Sequence, residues 1–149
     1  MEELWQRVGE AGRTAGIAFA FERIELRSNT LNAHRLIHHA QRVGAGGTAI
    51  ADLVEAIFAA QFLEGRHVGD RAVLAEIAAA CGMEREAVLR YLESTADADA
   101  VRGGAAEAGR KGINGVPFFI FNQRLGASGA QPPQNLLQAM RQAVVAAPA

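Results

Sequence analysis

Apolar positions recur every three to four residues along most of the chain, but at two places the period shortens to that of an extended strand. Leu4, Trp5, Val8 and Ala11 share one helical face, so residues 1–14 are predicted to form an amphipathic helix that ends near Gly16. From Ile17 to Ile24 large and small residues alternate, which predicts a short strand or strand-like run with Ile17, Phe19 and Phe21 on one side. Asn29 is a suitable N-cap for a helix through Leu31, Leu36, Ile37 and Val43, and Gly44 to Gly47 end it. Thr48 is expected to cap the next helix, in which Ile50, Leu53, Val54, Ile57, Phe58 and Phe62 make a broad buried stripe as far as Gly65. Asp70 caps a helix carrying Val73, Leu74 and Ile77, and Glu84 to Glu93 carries Val88, Leu89 and Leu92. These helices are predicted to pack as one compact cluster. A further alanine-rich helix, 97–111, contains Gly103-Gly104, each glycine costing about 1 kcal/mol relative to alanine, so it depends on tertiary contacts.

After Gly112 the pattern changes. Val116 to Phe121 is apolar and aromatic, Asn122-Gln123 suits a tight turn, and Arg124 to Ala127 reads as a second, antiparallel strand. Pro117 has no N–H for a central ladder and belongs at the first strand position or in a turn. Pro132-Pro133 stands at a helix entry, and Leu136, Leu137, Met140 and Val144 mark a closing amphipathic helix.

Length and charge narrow the picture. A chain of 149 residues, half apolar and 21% charged, suits one ordinary globular domain. Its 15 basic and 16 acidic residues are interspersed, and no basic stripe points to nucleic acid or an anionic membrane. No apolar run approaches the roughly 18 residues of a membrane span, and Met1-Glu2-Glu3-Leu4-Trp5 is unlike a secretory signal, so a cytoplasmic location is expected.

Candidate chemistry is sparse. Cys81, the one cysteine, excludes an intramolecular disulfide and a four-cysteine metal site. It closes Ala78-Ala79-Ala80-Cys81-Gly82, where the helix dipole disfavours a thiolate, and it reads as a buried thiol rather than a nucleophile. His34 and His38 are four apart and share a helix face, a spacing that can seat a metal, but no third ligand can be named. Neither a metal nor another cofactor is expected. Trp5, Phe58, Phe62 and Phe118 to Phe121 could suggest an aromatic ligand pocket, but helical or strand periodicity explains most of them as core.

One succession of motifs is more specific. A glycine-ended helix leads to Gly115-Val116-Pro117-Phe118-Phe119, a hairpin, Gly129-Ala130-Gln131-Pro132-Pro133 and a last helix. Upstream stands Asn29-Thr30-Leu31-Asn32-Ala33-His34-Arg35-Leu36. In this order they resemble the DsbA family of thioredoxin-fold oxidoreductases, especially its FrnE-like branch, over essentially the whole chain.

The resemblance implies an α/β, predominantly helical protein: a partial thioredoxin-like fold, C-terminal β-hairpin plus helix, with a DsbA-type helical insertion. Residues 1–28 would be a helix and extended lead-in, 29–112 the insertion, and 113–149 the hairpin and final helix of one truncated domain. It implies a cis bond before Pro117, a substrate-binding loop of Gly115, Val116, Pro117 and Phe118, and a groove lined by Asn29, Thr30, His34 and Gln131. Family members open with a strand, a helix beginning Cys-x-x-Cys and another strand, and no residues here match that unit. The 28 residues before Asn29 are too few for the roughly 30 such a unit needs and are already taken by other segments. The implied function is a thiol–disulfide oxidoreductase or isomerase family protein with no catalytic residue of its own, redox-inactive as this chain. Thiol or disulfide proteins and peptides would be partners of the complete form, and a homodimer or association through the hairpin edge is expected. Two alternatives stay open. One is a non-catalytic peptide- or protein-binding module. The other is a relative of the glutathione-dependent 2-hydroxychromene-2-carboxylate isomerases and kappa-class transferases, against which the Gly129-Ala130-Gln131-Pro132 turn argues because it lacks their Asp-Arg pair.

Overall fold

The computed structural model describes residues 2–145, and the chain divides into two compact units, Met1–Arg102 and Gly103–Ala149. The first holds α1 (Glu2–Thr14), a 3-10 turn (Phe21–Arg23), α2 (Leu31–Arg42), α3 (Gly47–Phe62), α4 (Arg71–Ala80) and α5 (Arg85–Glu93). Helix α6 (Ala98–Arg110) contains the boundary, and β1 (Phe118–Phe121), β2 (Leu125–Ser128) and α7 (Pro133–Val145) follow. The lead-in, 1–28, thus groups with the helical cluster, while 103–112 groups with the hairpin.

Helices α2 to α5 bury the expected apolar stripes. Leu36, Leu53, Leu74, Val88 and Leu92 are the largest side chains with essentially no exposure, one or more from each helix, so the stripes converge on a single core. Asp70 caps α4 as expected, its Oδ1 accepting from the N–H groups of Ala72 at 2.7 Å and Val73 at 3.1 Å. Glu84 caps α5 in the same way, and its bonds to the Glu86 and Ala87 N–H groups hold its carboxyl below the usual carboxylate range.

Two expected caps differ. Asn29 lies one residue too early: Thr30 is the N-cap of α2 without a side-chain cap bond, and the Asn29 Oδ1 closes a local turn by accepting the Leu31 N–H at 3.0 Å. Helix α3 begins before Thr48, at Gly47, with Gly46 as an uncapped N-cap. Gly46 has no side chain to accept the first N–H groups of the helix, and Thr48, already inside it, is not at the capping position.

The strand expected over Ile17–Ile24 does not form. Residues 17–20 are irregular and Phe21–Arg23 is a 3-10 turn, since no neighbouring strand supplies a ladder among the described residues. The alternation nonetheless has a structural consequence, because the Phe19 and Phe21 rings stack with centroids 4.9 Å apart. Gly12 is buried beneath Phe19, where a Cβ would meet the ring at 2.5 Å.

Arg35 is the one buried charged residue described, 3% exposed on α2. Its guanidinium donates to the carbonyls of Tyr91 (3.1 Å), Leu92 (3.2 Å), Ser94 (2.8 Å) and Ala96 (2.8 Å), and to Asn32 Oδ1 (2.9 Å). These carbonyls belong to the last turn of α5 and the segment after it, so one planar cation satisfies helix-end acceptors that would otherwise be orphaned.

In the second unit the strands pair antiparallel with Phe118 opposite Ser128 and Phe121 opposite Leu125. The second strand therefore starts one residue later than its sequence pattern suggests. Asn122 and Gln123 both have positive φ, and the Arg124 N–H donates to the Phe121 carbonyl at 3.1 Å. Asn122 Nδ2 donates to the Ala143 carbonyl at 3.2 Å and ties the turn to α7. Gly126 lies under Phe118, whose ring leaves no room for a side chain there.

Candidate functional site

The loop entering β1 is held from one side and open on the other. The Val116–Pro117 bond is cis, and the Pro117 carbonyl accepts the Gly129 N–H at 2.8 Å, just ahead of the ladder. Val116 is 92% exposed. Strand β1 has β2 on one edge and, among the described residues, no strand on the other, so a row of backbone donors and acceptors is left for an added strand. Gln131 is turned onto its own loop: its Nε2 donates to the Ser128 carbonyl at 2.8 Å, and its Oε1 accepts from Asn135 at 3.3 Å.

In the helical unit, Thr30 and His34 line a cleft of about 670 Å³, together with Trp5, Phe21, Ile37 and Phe58. Asn29 is not part of its wall. Sequence reasoning missed Ser28 and Gln61, which do line it: the Ser28 hydroxyl lies 2.7 Å from Gln61 Oε1 and 3.0 Å from His67 Nδ1. The partners are 33 and 39 positions apart, so no local spacing signals this contact.

Of the aromatic residues whose periodicity mostly points to the core, Trp5 and Phe58 are 38% and 56% exposed. They belong to a row of rings in which Trp5 stacks on Phe21 at 5.6 Å, Phe58 stacks on Phe62 at 6.0 Å, and Phe62 meets Phe19 and Phe21 edge-on. Periodicity shows that a face is apolar; it does not supply a layer to cover it. A second cleft of similar volume runs along the other side of these rings, reaching Leu4, Val8 and Ile17.

Cys81 sits half-buried at the C-cap of α4, and burial, with Asp52 as a lesser influence, pushes its thiol upward, away from a reactive thiolate. Among the described residues no group of three or more His, Cys, Asp or Glu side chains is placed to hold a metal. His39 instead stacks on Tyr91 at 4.1 Å, and the Tyr91 hydroxyl donates to Asp97 Oδ2 at 3.0 Å. No helix among the described residues is long and apolar enough to cross a membrane.

A hairpin with a closing helix, preceded along the chain by a cluster of helices, fits a DsbA-like thioredoxin fold with a helical insertion. The DSBA-like thioredoxin domain family matches residues 1–141, and the chain belongs to that family. The crystal structure of a probable DsbA oxidoreductase from Streptomyces coelicolor is similar at a TM-score of 0.81 and 31% identity, covering 97% of this chain and 60% of that one. The chain therefore spans 60% of the length of that relative. No curated protein matches.

Proposed function

We propose that this chain is the peptide-binding portion of a FrnE-like thiol–disulfide oxidoreductase, and that alone it binds extended peptides without redox turnover. The observation that carries the reading is the open edge of β1 beside the fully presented Val116. An extended peptide can add there as a strand, drawing affinity from main-chain hydrogen bonds and selectivity from alternate side chains. Gly115, lacking a side chain, leaves that approach clear, and Phe118 begins the ladder behind it. Thr30 and His34 supply polar groups to a separate cleft in the helical unit, which the same reading treats as groove lining.

The thiol inventory supports the redox-inactive reading. Disulfide exchange with substrate release needs a thiolate and a second thiol to resolve the mixed disulfide. Cys81 is single, its pKa is raised, and it belongs to a helix end in the first unit rather than to the hairpin loop. An unpaired thiol and a near-neutral surface also suit the reducing cytoplasm.

The test is a titration of the chain with an extended cysteine-containing hexapeptide, followed by amide chemical shifts, alongside an insulin-reduction assay. Shifts should concentrate at Gly115 to Phe118, and Val116→Pro, which deletes one N–H donor, should weaken binding about tenfold with an unchanged circular dichroism spectrum. Insulin reduction should not exceed the background of the added reductant. A turnover that Cys81→Ser abolishes would refute the inactive reading, and peptide shifts confined to the helical unit would refute the edge.

A further inference from the structure

The row of rings in the first unit is independent of the peptide edge. Leu4, Trp5, Val8, Ile17, Phe58 and Leu63 are between 38% and 57% exposed and border one continuous cleft. With roughly 150–250 Å² for a large apolar side chain, they present on the order of 500 Å² of apolar surface, at the upper end of what a monomer carries without using it.

Helix α1 contributes much of this face. It has 13 residues, a length at which a helix is marginal in water without packing. Gly12, held against Phe19, is its one buried position among those described, and the stripe Leu4, Val8, Ala11 lies open at spacings of four and three.

We propose that this face is a self-association surface, on which a second copy of the chain docks about a two-fold axis with the two α1 helices antiparallel. Three observations select a second copy. First, a two-fold axis doubles the apolar area to about 1,000 Å², the threshold of a specific interface, where either copy alone falls short. Second, α1 is large at its start, with Leu4 and Trp5, and small at its end, with Ala11 and Ala15 just beyond it. Antiparallel copies set large against small; parallel copies would set large against large. Third, a net charge of −1 offers little repulsion between copies. A small ligand fits less well, since ligand sites bury about 70–90% of what they bind, whereas Phe58 projects more than half exposed between the two clefts.

Sedimentation equilibrium of the full chain, with Trp5 as the sole tryptophan reporter, tests this. A monomer–dimer equilibrium is expected, with Trp5 emission shifting to longer wavelength on dilution through it. Val8→Glu and Phe58→Glu should each raise the dimer dissociation constant about a hundredfold while far-ultraviolet circular dichroism is retained. Ile120→Glu, on the hairpin, should leave it unchanged. A chain that stays monomeric at all concentrations up to about 1 mM overturns the proposal. So does a dimer that Ile120→Glu dissociates, or one that both folded charge variants leave intact.

Discussion

Arg35 shows how much of this molecule hangs on single side chains. Its guanidinium is buried against acceptors from Tyr91 to Ala96 and lies 5.1 Å from the Tyr91 ring centroid, so its loss would strand several carbonyls at once. Each orphaned acceptor costs about 1–3 kcal/mol, and Arg35→Met should therefore lower unfolding free energy by roughly 3 kcal/mol or more in urea titrations. Arg35→Lys should recover only part of this, because an ammonium cannot span the planar set of acceptors.

The neighbouring network makes stability depend on pH. His39 is shifted below its usual 6.5, by burial first and by Arg42 second, so the unfolded chain takes up its proton before the folded one. Stability from His39 is complete above 6.5 and declines as pH falls through its lower folded value. Asp97 is held below its usual 3.8, chiefly by the Tyr91 hydroxyl, so its contribution fades at lower pH, as the folded value is passed. Thermal melts from pH 8 to 2.5 should show an upper loss that His39→Gln removes and a lower, acid loss that Asp97→Asn reduces without abolishing, because the Glu84 and Glu107 carboxyls are also held below their usual range. At the other extreme, burial and the Asp97 hydrogen bond raise Tyr91 to about 12, so its contribution is complete below 10 and is lost as pH rises from there through about 12.

At the scale of elements, caps and turns differ in what they hold. Asp70→Ala should cost about 1 kcal/mol by chemical denaturation, while Thr30→Ala, which removes no cap bond, should be nearly neutral. Gly65 follows α3 at φ +74°, and a Cβ there would collide with the Arg23 side chain and lie 2.6 Å from its carbonyl oxygen. Gly65→Ala should accordingly destabilise by about 2–3 kcal/mol. Helices α2 to α5 were legible because each couples a 3.6-residue apolar stripe to a glycine or capping residue. The Ile17–Ile24 run was not, because a strand needs a neighbour and alternation alone provides none. The hairpin shifted by one residue for a related reason: positive φ at both Asn122 and Gln123 sets the turn, and the turn sets the register.

At the scale of the whole molecule, burial predicts an uneven map of stability. Amide exchange should be slowest in α2, α3, α4 and α5, whose residues form the core cluster, and fast in α6, in which none of the described residues is buried. Exchange mass spectrometry would show this directly, and equal protection in α6 would contradict it.

The linear chain by itself determined the family motifs, the helical stripes, the Asp70 cap and the presence of a single thiol, because these are properties of neighbours along the backbone. Tertiary structure alone decided that Arg35 would gather carbonyls some 56 to 61 positions away, that Ser28 would meet Gln61 and His67, and that Trp5 and Phe58 would face outward. An apolar face is written locally, but what covers it, or leaves it open, depends on which other surfaces the folded chain brings within reach.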